Sequence, residues 1–198
     1  MEENKEKAIL QAAEEEFFEK GFDGARTVSI AQKAGVTHAM LHYYFRSKEQ
    51  LFRKILDEKM AVFSESVLNV FSDTEKPLLE RLEEGIRRHF DFLSSNPGLP
   101  AFILRELDRI NLDMKELLSS RGLPIIRQTQ QELDTLASEG KIARIDAITL
   151  LLDIVSQNVF PFVIGPVAAQ VVGQENKDEI FSAIKEENVT IIKKRLQL

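Results

Sequence analysis

The chain of 198 residues contains no cysteine and no tryptophan. Without cysteine it forms no disulfide framework, carries no thiol nucleophile and holds no cysteine-ligated zinc, and its usage fits a reducing compartment. There is no signal-peptide core behind the polar stretch Met1 to Lys7. The most apolar stretch, Ala147 to Gly173, is interrupted by Asp153, Gln157, Asn158, Pro161 and Pro166. Its uninterrupted runs fall well short of the roughly 20 apolar residues that a spanning helix needs. A buried or subunit-interface helix is expected there, with a cytoplasmic location and no membrane partner. A surplus of basic charge is also missing: 26 Lys+Arg stand against 32 Asp+Glu, a net charge of −6. That balance argues against a nucleic-acid partner only if the charges are evenly spread.

What the sequence does contain is helical periodicity. No run alternates apolar and polar residues as a strand would. The expected fold is all-α, with about nine helices. The first runs from about Lys5 to Lys20 with Ile9, Ala13 and Phe17 on one face, and Gly21 closes it. A short helix from Val28 to Ala34 takes Thr27 as its N-cap. The next starts at Thr37, with Val36 and Leu41 placed as a hydrophobic staple, and ends near Phe45. Ser47-Lys48-Glu49-Gln50 reads as a capping box opening a long helix to about Phe71. Further helices run from Pro77 to Ser95, from Pro100 to Ile110, from behind a break at Gly122 and Pro124 to Gly140, and from Asp146 onward. Pro161 and Pro166 should kink or end that last one. The final helix opens near Lys177. The division expected is a small head, residues 1–47, and a larger body, residues 48–198.

The two short helices joined at Ala34-Gly35-Val36-Thr37 have the marks of a helix-turn-helix: a small contact residue, a turn glycine, and a second helix with one packed and one polar face. Leu41 and Phe45 point inward. His38, Ala39, His42 and Tyr43 share the exposed face, where an imidazole pair, a phenol and a small residue suit base edges and phosphates. Thr27 and Lys48 flank it. A cation in the first turn of a helix opposes the helix dipole, and a phosphate docked there would reverse the penalty.

From Phe17 to Leu56, and above all in Ile30-Ala31-Gln32-Lys33-Ala34-Gly35-Val36 and Leu41-His42-Tyr43-Tyr44-Phe45-Arg46-Ser47-Lys48-Glu49-Gln50-Leu51-Phe52, the chain resembles the DNA-binding domain of the TetR/AcrR family of bacterial transcriptional regulators. The match covers about a quarter of the chain. The resemblance implies that Thr27, Thr37, His38, Ala39, His42, Tyr43 and Lys48 form the DNA-binding set, with Tyr43 and Lys48 on phosphates and His38, Ala39 and His42 facing bases. The chain departs from the family pattern at Ala39, where Gly is frequent, at Met40, where a small polar residue is frequent, and at His42, where Tyr is frequent. The resemblance further implies a homodimer held by the last two long helices and a small-molecule pocket in the body. Phe63, Phe90, Phe102, Arg105, Gln128, Asn158 and Phe160 are its candidate lining, against the plainer reading that the phenylalanines are core.

The expected function is therefore a ligand-responsive repressor that binds a palindromic operator in double-stranded DNA and answers to a small-molecule effector. A helical small-molecule binder or adaptor without operator binding is the alternative. An enzyme is not expected: there are three histidines, no cysteine, and no paired-carboxylate or phosphate-loop motif in a suitable context. No cofactor and no metal are expected, since the pair His38 and His42 lacks nearby third ligands. His89, beside Phe90 and Phe92, reads as a structural histidine, and Glu14-Glu15-Glu16 as a solvated face. The charges are not evenly spread. Between Gly24 and Leu56 lie six cations (Arg26, Lys33, Arg46, Lys48, Arg53, Lys54) and one anion, Glu49. A basic head sits on an acidic remainder, which would steer the molecule onto DNA head first.

Overall fold

The computed structural model describes residues 2–172 and 177–197, and among them the chain is helix, turn or connecting loop. They divide into two compact units, Met1–Val62 with Ala101–Arg109, and Phe63–Pro100 with Ile110–Leu198. The first unit thus runs beyond residue 47 and takes in a distant segment.

In the first unit, α1 (Glu2–Gly24) buries Ile9, Ala13 and Phe17 as the periodicity predicts. It does not stop at Lys20. The helix bends at Gly21, whose φ of 73° and ψ of 175° belong to a region open essentially to glycine alone, and resumes to Gly24. Helices α2 (Thr27–Lys33), α3 (His38–Tyr44) and α4 (Lys48–Phe63) follow. Phe17 and Phe22 pack edge-on against Phe52, which also meets Phe102 of α7 (Leu99–Arg105). Glu16 is no solvated face residue: it is fully buried, bound by Lys20 at 2.7 Å and Lys33 at 3.0 Å. Burial opposes its charge, but hydrogen bonds from Lys20, Lys33 and Ser29 outweigh that and pull its carboxyl down to about 2.

In the second unit the long helix continues from α4 through a π-helical turn, Ser64–Leu68, into α5 (Asn69–Ser72). Helix α6 (Leu78–Ser95) starts after Pro77 and ends where the Asn96 side chain donates to the Phe92 carbonyl at 2.8 Å. No break separates α8 (Leu107–Leu117) from α9 (Leu123–Ser138). A second π-helical turn, Leu118–Gly122, carries the chain between them, and Pro124 falls just behind it, where the ladder changes register.

Asp146 caps α10 (Ala147–Val172) by accepting from the Thr149 amide at 2.9 Å. Of the two outcomes expected at Pro161 and Pro166, a kink or an end, the end does not occur: α10 runs on through both. Pro161 has no N–H for the Gln157 carbonyl. The Asn188 amide of α11 (Lys177–Arg195) donates to that carbonyl instead, at 3.1 Å. Leu82, Ile86, Leu133, Leu150, Ile154, Val189 and Ile192 form the core between α6, α9, α10 and α11.

Candidate nucleic-acid interface

Helix α2 ends in a Schellman motif. The Gly35 amide donates to Gln32 O at 3.1 Å and the Val36 amide to Ala31 O at 3.0 Å, with Gly35 left-handed at φ 66°. This turn sets the entry to α3. Thr37 caps α3 as expected, its hydroxyl accepting from the Met40 amide at 3.2 Å. Leu41 and Phe45 are buried, while His38, Ala39, His42 and Tyr43 are exposed, Tyr43 at 76%. The opening of α4 is a near-capping box. Ser47 Oγ accepts from the Gln50 amide at 3.1 Å, while Gln50 Oε1 reaches one residue further back, to the Arg46 amide.

Thr27 does not cap α2: it is the first helical residue, and Arg26 stands at the cap position without a side-chain cap bond. The Thr27 hydroxyl lies 2.9 Å from His38 Nε2, and the His38 ring meets His42 edge-on, with centroids 4.4 Å apart. Thr27, His42 and Lys48 line one open groove together with Arg26, Ser29 and Gln32.

Lys48 is more committed than its sequence position indicates. Its ammonium donates to Phe22 O at 2.8 Å and Ala25 O at 3.2 Å, and stands 4.5 Å from the centre of the Phe22 ring. The C-terminal carbonyls of α1 therefore offset the cost of a cation in the first turn of α4. An ammonium has three donors, so one remains for a ligand in the groove. Sequence reasoning missed Arg26 as a groove residue. The available signal was a cation directly before the first helix of the motif, in a stretch whose one anion is Glu49.

Of the candidate effector residues, Phe102 and Arg105 belong to the first unit, the other five to the second. Phe102 packs on Phe18 and Phe52, and Arg105 binds carbonyls of α1. Gln128 donates to Glu132, Phe90 is buried against Phe162, and Phe160 is 62% exposed. Phe63 and Asn158 do converge, on His89: the Phe63 ring lies 5.8 Å away edge-on and the Asn158 amide is 3.3 Å from Nδ1. Asn158 donates to the Ile86 carbonyl at 2.9 Å and accepts from Asn188 at 2.9 Å. With both its hydrogens on acceptors, Asn158 makes His89 Nδ1 an acceptor and leaves the proton on Nε2. Burial pushes the imidazole down to about 4, so His89 is neutral. The structural reading of this histidine holds.

A two-unit helical chain whose helix-turn-helix turns an exposed polar face and a groove with cationic walls outward is a DNA-binding regulator by architecture. Residues 9–55 match the model of the bacterial regulatory proteins of the tetR family. The HTH-type transcriptional regulator RutR of Escherichia coli (strain K12) is 29% identical over 193 residues, covering 93% of this chain and 86% of that protein. The fatty acid metabolism regulator protein of Bacillus subtilis (strain 168) is 27% identical over 132 residues, covering 67% of this chain and 66% of that protein. Among solved structures, AibR in complex with isovaleryl coenzyme A and operator DNA superposes with a TM-score of 0.67 at 19% identity, covering 91% of this chain and 96% of that one, and shares the fold. Residues 9–55 thus match a tetR-family DNA-binding region, and over most of its length the chain is similar to an HTH-type transcriptional regulator.

Proposed function

We propose that the chain is a ligand-responsive repressor that binds a palindromic operator as a homodimer in the bacterial cytoplasm. The observation that carries the reading is the groove in which Arg26, Thr27, His42 and Lys48 stand together beside the exposed face of α3. Tyr43, Arg26 and the remaining donor of Lys48 take phosphates, whereas His38, Ala39 and His42 face base edges, with Thr27 and Thr37 fixing the helix starts. An adaptor that reads no DNA leaves this groove without an occupant.

The dimer reading is supported by α10. Ile148, Leu152, Val155, Phe160, Ile164, Val167 and Val171 are exposed at helical spacing, joined by Ile191 of α11. Ala147–Gly165 is long and apolar enough to cross a membrane by length and composition. The assignment to a second copy of the chain is supported by the similarity of the chain to HTH-type regulators and by the polar network that α10 shares with α11. For the effector, the relatives support acyl compounds as the first class to test, since one is named for fatty acid metabolism and another holds isovaleryl coenzyme A.

Selection of bound duplexes from a random pool by the full chain tests the reading. The expected product is a palindrome whose half-sites lie about 34–36 Å apart or a multiple of it, bound by a species that light scattering reports as a multiple of the 22.6 kDa chain. A pool that returns no preferred sequence, or a monomer at micromolar concentration, overturns it. Isovaleryl coenzyme A and a long-chain acyl coenzyme A, titrated into the selected complex, are expected to release the DNA.

A further inference from the structure

The bend in α1 leaves two backbone groups without their ordinary partners, and both are met from far away in the chain. In an unbroken helix the Phe22 amide would donate to the Phe18 carbonyl. Here the Phe22 amide donates to Glu106 Oε1 at 2.9 Å, while Phe18 O accepts from an Arg105 nitrogen at 2.9 Å. Arg105 also reaches Phe17 O at 3.1 Å and Glu19 O at 3.4 Å. Two consecutive residues of opposite charge thus stand in for one missing helix bond. The fit is close: a Cβ at Gly21 would come within 2.9 Å of both Arg105 Nε and Glu106 Oε1.

The same cluster extends to the DNA-facing groove. Glu106 is buried, and its other oxygen holds Arg109 at 3.2 Å. The Arg109 guanidinium lies 3.9 Å from the centre of the Phe22 ring and bonds Asp23 at 3.0 Å. The Phe22 ring is within cation–π reach of both Arg109 and Lys48, and Lys48 lines the groove. The last turn of α1 is therefore held from one direction by residues 105–109 and from another by the first residue of α4. Residues 101–109 pack with the head, yet in the chain they are joined at Pro100 and at Ile110 to the second unit.

We propose that Arg105 and Glu106 are positioning residues for operator binding. By capping the groups opened at Gly21 they fix the course of Phe22 to Ala25, and through the bonds of Lys48 to Phe22 and Ala25 they fix the groove wall and the start of α2. The inference rests on the DNA-binding reading above and adds what sets the head in its binding geometry.

The test uses the full-length chain, a duplex selected by the wild type, and a scrambled duplex of equal length. Glu106→Ala leaves the Phe22 amide unpaired. It is expected to weaken the selected duplex about tenfold and the scrambled duplex less than about twofold, with loss of hydrogen-exchange protection at the Phe22 amide. Glu106→Gln keeps an acceptor at the same place and is expected to recover most of the affinity. Arg105→Lys, which replaces the planar fork by a single point donor, gives a smaller loss in the same sense and keeps the question open to refutation if Glu106→Ala does not fold. An unchanged ratio between the two duplexes, equal losses on both, or a Glu106→Gln variant as weak as Glu106→Ala overturns the inference while the function reading stands. A wild type that selects no duplex at all overturns the function reading, and this inference with it.

Discussion

Both units contain a helix whose hydrogen-bond ladder is interrupted, and they repair it with opposite chemistry. In the head, α1 bends at Gly21 and the gap is bridged by the charged pair Arg105 and Glu106. In the body, α10 loses a donor at Pro161 and the gap is closed by Asn188, a neutral amide in a buried network with Asn158 and His89. The charged bridge is half open to water, with the Arg105 side chain 42% exposed. The neutral bridge is closed in, since Asn158 is fully buried and Asn188 nearly so. An exposed guanidinium such as that of Arg105 adjusts its geometry at small cost, whereas a buried carboxylate such as Glu106, or a buried amide whose hydrogens are all committed, has far less freedom.

The largest effect is expected from breaking the neutral bridge. Asn188→Leu removes two donated bonds and leaves the Gln157 carbonyl and Asn158 Oδ1 buried without partners. It should cost about 2–4 kcal/mol in unfolding of the body, read by denaturant titration. A companion Asn188→Leu, Asn158→Leu pair should recover little, because the second change takes the orphaned Oδ1 away but also removes the donor to His89 Nδ1 and to the Ile86 carbonyl. If the single variant is as stable as the wild type, the bridge contributes nothing and the contrast between the units fails.

The parts of the molecule that are readable from sequence are those whose partners are close by in the chain. The Schellman turn at Gly35, the Thr37 cap and the Ser47 to Gln50 box each close within a few residues, so residue types at short spacing carry the whole signal. The bend at Gly21 looks like a helix end because its replacement partners lie more than 80 positions away. The same holds at Pro161: the Gln157 carbonyl that it leaves open is met by Asn188, 31 positions from Gln157 in the chain. Glu16 reads as solvated because its neighbours Glu14 and Glu15 are charged, and the cation that buries it, Lys33, sits on another helix. Residues 101–109 have an ordinary amphipathic look, and nothing local says that they pack with the head. At the groove, Thr27, His42 and Lys48 of the expected DNA-binding set stand together. The commitment of Lys48 to two carbonyls depends on where α1 ends.

A smaller effect tests the charged side of the contrast. Glu16→Gln keeps the shape but weakens the bonds from Lys20 and Lys33, whose side chains are 41% and 36% exposed. With screening by water allowed for, the loss expected at pH 7 is about 1–2 kcal/mol. The folded carboxyl titrates at about 2, below its ordinary value of 4.5. Its stabilisation is therefore complete above about 4.5 and is lost as pH falls from there toward 2. The variant and the wild type should converge in melting temperature at the bottom of that window. A difference that persists unchanged to pH 2 would show that Glu16 acts by packing alone.

The smallest effect at neutral pH, and the one that separates the two units most cleanly, belongs to His89. Burial lowers its imidazole from 6.5 to about 4, so between those values the unfolded chain binds a proton that the folded chain refuses. Stability of the body therefore rises with pH across that window and is level above about 6.5. Asn158 imposes the same state from the other direction, because its donated hydrogen needs Nδ1 as an acceptor. Protonation would set a donor against a donor inside the network that holds α10 and α11 together. His89→Gln cannot take up this proton. The variant should melt near the wild type at pH 7.5 and lose less stability than the wild type on going to pH 5, above the window in which Glu16 begins to titrate. A wild-type loss between pH 7.5 and 5 that survives the substitution would place the titrating group elsewhere, and the body would no longer be the part of the molecule that acid reaches first.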